Sequence, residues 1–182
     1  MNSEYDPNVS QIRSSSGGVI ICGVPCSGKT TVLRDVARIL SLHDRRRVSL
    51  VDTRGELASV YRGEPQLNVG LSDTLSAYPR AQGIIQAVRV FSPEFILCDE
   101  IGSPKDASAI LNGLNSGVRF LVTAHAGDYT ELKSKPFIRD VLAKYVPEAP
   151  RYPPHLRYGG KQNKGAAFVA AALDALNRHL HP

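Results

Sequence analysis

Gly18-Val19-Ile20-Ile21-Cys22-Gly23-Val24-Pro25-Cys26-Ser27-Gly28-Lys29-Thr30 is the stretch that organises this chain. Residues 18–22 form a short apolar run, the pattern of a strand buried on both faces. Residues 23–30 follow G-x-x-x-x-G-K-T, a turn between strand and helix that suits phosphate. The glycines allow the backbone to turn tightly and to aim successive N–H groups at phosphate oxygens. A helix is expected next, with Val32, Leu33, Val36, Ala37, Ile39 and Leu40 on one stripe. Its unsatisfied N-terminal donors and positive dipole end add to the cradle. Lys29 has the length to reach β- and γ-phosphates, and the Thr30 hydroxyl suits Mg²⁺. Gly23, Val24, Pro25, Cys26, Ser27, Gly28 and Thr31 complete the expected binding site for ATP.

Outward from this loop the chain alternates. A second strand is expected at 48–52, ending in Asp52. Residues 53–80 read as mostly loop, with a short helix near 55–61. Helical spacing returns at 81–91. Phe95-Ile96-Leu97-Cys98 makes a third strand that ends at Asp99-Glu100. A helix at 106–115 and a strand at 118–123 follow. Strands alternating with helices predict a parallel sheet with right-handed crossovers.

In such sheets ligands bind beyond the carboxyl ends of the strands, so the residues there are the candidates. Asp99 is placed to hold a water of the Mg²⁺ shell, and Glu100 to act as general base on an attacking water. Thr123 or His125 is placed to sense the γ-phosphate. Asp52 and Glu56 are expected to face the nucleotide or its water. Arg80 and Arg89 are candidates to act on a neighbouring subunit's γ-phosphate.

Composition bounds the alternatives. The chain has 182 residues, 42% hydrophobic and 21% charged, which excludes wholesale disorder. No apolar run approaches the roughly 18 residues of a membrane span. Three cysteines (Cys22, Cys26, Cys98) do not make a disulfide framework, so a cytoplasmic setting is expected. Cys26 beside a helix N-terminus is a candidate for redox regulation. The net charge of +5 permits an anionic partner without choosing one. A nucleotide or small-molecule kinase stays open as one alternative, although no arginine-rich lid lies between Pro93 and Thr123. A nucleic-acid-associated ATPase is the other, with Arg45, Arg46, Arg47 and the basic tail as contacts; no aromatic platform accompanies them, so stacking readout, and with it a nucleic-acid partner, is not supported. Residues 1–16 read as a loose leader and 17–146 as the domain. Residues 147–182 read as a Pro/Gly-rich tail outside the core, with a helix over 165–180 by propensity.

Several ordered segments together resemble the stage III sporulation protein AA family. They are 23–38, Val51-Asp52-Thr53-Arg54-Gly55-Glu56-Leu57-Ala58, Pro79-Arg80-Ala81-Gln82-Gly83, 87–93, Cys98-Asp99-Glu100-Ile101-Gly102 and Thr123-Ala124-His125. The likeness covers about residues 17–145. It implies an α/β P-loop NTPase of RecA-like type, a mostly parallel sheet flanked by helices. It further implies Mg²⁺-dependent ATP hydrolysis, a homo-hexameric ring, and partners in a membrane channel complex to which the protein is peripheral. Thr53 stands where the family commonly has an acid, and 70–78 lacks an expected arginine. No counterpart of the family's N-terminal domain is expected within these residues, and the likeness is expected to fade beyond Val146.

Overall fold

The computed structural model describes residues 18–127, 129–145 and 168–172. Strand β1 (Gly18–Gly23) leads through the phosphate-type loop into helix α1 (Lys29–Arg38), which continues as a π-helical turn at Ile39–His43. Then come β2 (Val48–Asp52), the short strands β3 (Val60–Tyr61) and β4 (Glu64–Pro65), and β5 (Asp73–Ser76). Helix α2 (Arg80–Phe91), β6 (Phe95–Cys98), α3 (Pro104–Asn115) and β7 (Arg119–His125) complete the alternation. Helices α4 (Tyr129–Ser134) and α5 (Pro136–Tyr145) and strand β8 (Phe168–Ala172) follow.

The main sheet has the order β5-β2-β6-β7-β1-β8. Strands β5, β2, β6, β7 and β1 are parallel, with β1 and β7 in register from Gly18↔Phe120 to Gly23↔His125. Period-two alternation splits the core between the sheet's faces. Val19 and Ile21 pack with Leu33, Val36 and Leu40 of the α1 side. Ile20 and Cys22 pack with Ile84, Ala87 and Ile110 of the α2–α3 side. With both faces covered, β1 and β6 read as continuous apolar runs, which is why they were legible. Their parallel direction brings the ends of β1, β2, β6 and β7 to one edge.

Two expectations fail. No helix forms near 55–61, where a bent loop leads into the β3–β4 hairpin. The Asp52 carboxylate accepts the N–H groups of Glu56, Leu57 and Ala58 at 2.8–3.2 Å, diverting them from helical pairing. Strand β5 lies in the same stretch; within it only Leu75 is buried, so it carries no apolar run. The helix expected over 165–180 also fails at Phe168–Ala172, which pair antiparallel with β1 and extend the sheet. There tertiary pairing with an available strand edge outweighs alanine's helix propensity. The rest of that expected helix, and the leader at 1–16, lie outside the described residues. No helix among the described residues is long and apolar enough to cross a membrane.

Candidate functional site

The loop at 23–30 adopts backbone conformations that its composition foreshadows. Gly28 sits at φ +89° and Cys26 at φ +60°, turning the chain sharply into α1. Helix α1 has no side-chain cap and no acid in its first turn, so among the described residues no side chain caps its N-terminal donors. Val24, Pro25 and Cys26 are exposed on the loop's rim, as is Thr31 in the first turn, while Ser27 is buried. The Ser27 Oγ has no hydrogen-bond partner among the described residues.

Lys29 is 6% exposed, and its Nζ donates to the carbonyls of Gly23 (3.1 Å) and Val24 (2.8 Å). The Nδ1 of His125 lies 3.3 Å from the same ammonium. No carboxylate among the described residues comes within salt-bridge distance of it. Burial pushes the Lys29 ammonium below its ordinary value, and the charges of Asp99 and Glu100 counter this. A buried cation bonded to neutral acceptors is a standing demand for an anion.

Asp99 and Glu100 leave β6 beside it. The Thr30 hydroxyl donates to Asp99 Oδ2 at 3.4 Å. Thr123 Oγ1 donates to Asp99 Oδ1 at 2.5 Å and accepts the Glu100 N–H at 2.8 Å. Burial alone would raise the Asp99 pKa. The bonds from Thr123, the Glu100 N–H, Glu56 and Thr30 outweigh it and hold the carboxyl below its usual value. The Asp99 carboxyl beside Glu56, with burial adding to its effect, raises the Glu56 pKa. Glu100 Oε2 lies 3.5 Å from His125 Nε2 and 3.6 Å from Arg54 Nη1. The His125 imidazole thus stands between Lys29 and Glu100.

Some expected residues fall elsewhere. Asp52 is 1% exposed and spends its carboxylate on the 56–58 backbone, so it organises the loop and does not face a ligand. Arg80 is 10% exposed and paired with Asp106 at 3.4 Å, which removes it as a residue donated to a neighbour. The reason is that the start of α2 packs against the turn after β6. Arg89 is exposed on α2. Burial pushes the Cys22 and Cys98 thiols up to about 12, whereas Cys26 is exposed. Arg46 pairs with Glu94 at 3.0 Å, and Arg47 Nε donates to Ser92 O at 2.9 Å, so both serve local structure.

Sequence reasoning missed Arg54 on Glu100. It also missed Arg34, which donates to the Leu57 and Glu56 carbonyls at 2.8 and 2.7 Å and pins that loop to α1. Lys135, which donates to the His125 carbonyl, went unnoticed too. None of these carries a local signal, because each contact joins distant segments.

This architecture is the fold of the RecA-like P-loop ATPases. It is similar to the ATPase DotB of Legionella pneumophila, with a TM-score of 0.57 and 24% identity over 71% of this chain and 36% of that one. It is also similar to the pilus retraction motor PilT, with a TM-score of 0.58 and 16% identity over 76% and 43%. Within that class the sequence profile of Sporulation stage III, protein AA, matches residues 7–150, and the chain belongs to this family. Stage III sporulation protein AA of Bacillus subtilis (strain 168) is 38% identical over 125 residues, 66% of this chain and 41% of that protein. The protein ycf45 of Porphyra purpurea is 31% identical over 138 residues, 74% of this chain and 24% of that one. The chain therefore spans less than half the length of these relatives.

Proposed function

We propose that this chain binds ATP with Mg²⁺ and hydrolyses it. The observation that carries the reading is Lys29: a buried ammonium with no carboxylate partner among the described residues, at the mouth of an uncapped helix N-terminus. The oxygen donors also fit Mg²⁺, a hard cation that typically takes one or two protein oxygens plus substrate phosphates. Thr30 Oγ1 and Asp99 Oδ2, 3.4 Å apart, are the oxygens that would supply them.

Bound Mg-ATP supplies the phosphoanhydride to be cleaved and a cation to neutralise its charge. The chain's own residues do the rest. The backbone N–H groups of 24–30 and the start of α1 hold the phosphates, and Lys29 turns its Nζ from the loop carbonyls onto them. Thr123 holds Asp99 in place and favours its ionised form, the form that would bind a cation. Glu100 accepts the water's proton at its carboxylate, while His125 and Arg54 fix that carboxylate's direction. By family, we assign the activity to sporulation machinery. We propose that a ring of subunits, a hexamer, uses it to power or assemble a membrane channel complex.

Glu100→Gln is the direct test. The amide keeps the shape and cannot accept a proton. ATP binding is expected to persist while single-turnover hydrolysis falls on the order of 10²–10⁴-fold. Hydrolysis at the unmodified rate would refute Glu100 as base and transfer the role to Glu56, whose carboxyl meets Asp99. Phosphate transfer to a small acceptor in place of water would establish the kinase alternative.

A further inference from the structure

The turn that carries Glu100 away from β6 is held at three successive backbone donors. The Glu100 N–H donates to Thr123 Oγ1 at 2.8 Å and the Ile101 N–H to Thr123 O at 3.1 Å. Both acceptors belong to β7, in the middle of the sheet. The third donor, Gly102 N–H, goes instead to Asp106 Oδ2 at 3.3 Å. Asp106 lies in the first turn of α3, where its own N–H bonds the Ser103 cap at 3.2 Å.

Arg80 completes this knot from the other side. It opens α2, and its Nη1 meets Asp106 Oδ2 at 3.4 Å, with the two side chains 10% and 9% exposed. The same Nη1 lies 3.8 Å from where a Cβ on Gly102 would sit. Arg80, Gly102 and Asp106 therefore converge at the turn that follows Glu100. The Arg80 Nε is buried without a hydrogen-bond partner among the described residues. The guanidinium is thus aimed at Asp106 while one of its own donors stays unused, which is a net penalty for stability. A buried ion pair is in any case weak evidence of stabilisation. The arrangement makes better sense as a device for orientation.

We propose that Arg80 is a positioning residue for Glu100, acting through Asp106 to fix the 100–103 turn. This rests on the reading of Glu100 as the hydrolytic base. Arg80 touches no reacting atom; it sets where the Glu100 carboxylate points. Misplacement of a reacting group by about an ångström can cost on the order of 10² in rate.

The test uses the full chain with Arg80→Gln and with Arg80→Lys, both of which leave Asp106 in place to accept the Gly102 N–H. Arg80→Lys keeps a cation against the buried Asp106 carboxylate but lacks the guanidinium that fixes it. If Arg80→Gln does not fold, Arg80→Lys decides. Turnover is expected to fall on the order of 10²-fold with KM for ATP within about twofold, the split that marks lost transition-state positioning. Amide exchange at Ile101 and Gly102 is expected to quicken at least about tenfold, with Val19, Ile20 and Ile21 of β1 unchanged. Exchange rising everywhere together would reduce the pair to general support of the fold and overturn the proposal. Normal turnover with a loosened turn would overturn it as well. Absence of hydrolysis in the unmodified chain would refute the hydrolytic reading itself, and unchanged exchange at Ile101 and Gly102 would separately refute the clamp.

Discussion

Replacing Thr123 by valine asks whether one hydroxyl organises both acids of the site. Thr123 is 0% exposed, and its Oγ1 serves Asp99 and the Glu100 N–H at once. Valine keeps the β-branch and nearly the volume, but offers neither donor nor acceptor. A hydrogen bond to a charged group is worth about 1.5–3 kcal/mol. The Glu100 N–H keeps Asp99 Oδ1 at 3.1 Å as a second acceptor, so it adds little to the loss. The expected cost near neutral pH is about 2 kcal/mol, or roughly 4–8 °C in Tm for a chain of this size. The pH dependence has a definite sign. Asp99 titrates below the usual 3.8 when folded. A depressed carboxyl contributes stability that is present above the unfolded pKa and lost as pH falls through the folded one. The deficit of the variant should therefore be complete at neutral pH and shrink once the pH drops below about 3.8. Urea unfolding of both proteins, at pH 7 and then at steps down to about pH 3, measures this. A deficit under about 0.5 kcal/mol at pH 7, or one that acid leaves unchanged, would refute the assignment of the Thr123 hydroxyl to an ionised Asp99.

Three further outcomes are expected. Lys29→Ala should weaken binding of a fluorescent ATP analogue at least about a hundredfold, since the loop's backbone donors cannot replace a full charge; an unchanged Kd would remove Lys29 from the site. Under native conditions a thiol reagent should modify Cys26 alone, because Cys22 and Cys98 are buried with thiols pushed up to about 12. Rapid addition of a second label, read by mass, would contradict the core packing. If ATP sits at a subunit boundary with Arg89 reaching across, activity per subunit should rise with protein concentration, and Arg89→Ala should abolish most of the gain. Flat activity in a preparation that stays monomeric would sink the shared site.

Much of the architecture was open to reading because the relevant signals are local. β1 and β6 are short apolar runs because both faces of a parallel sheet are covered, and that leaves a mark in consecutive residues. The turn at 23–30 needs glycine where φ is positive, as at Gly28, so its chemistry shows in its spacing. Asp99 and Glu100 follow directly from the strand that presents them. Where local pattern is weak, reading stopped. β5 is a largely polar edge strand with one buried residue, and nothing in Asp73-Thr74-Leu75-Ser76 distinguishes it from loop. The short helix expected near 55–61 gives way to a bent loop because Asp52 accepts the N–H groups of Glu56, Leu57 and Ala58, a role that its position at a strand end does not reveal.

By itself, then, the sequence determined the strand–loop–helix unit, the acids after β6 and the alternation that makes the sheet parallel. Each is dictated by neighbouring residues through φ preference, burial period or spacing. Only tertiary structure decided which polar groups meet. Thr123 reaches Asp99 because β6 and β7 are adjacent in register, Cys98 opposite Val122. His125 reaches Lys29 because β7 pairs with β1, Gly23 opposite His125. Arg80 became an internal support, unavailable to a neighbour, because α2 packs its first residue against the 100–103 turn. Phe168–Ala172 became a strand because β1 offered an edge to pair with. Such contacts join segments far apart in the chain, and the short-range preferences that a sequence records carry no term for them.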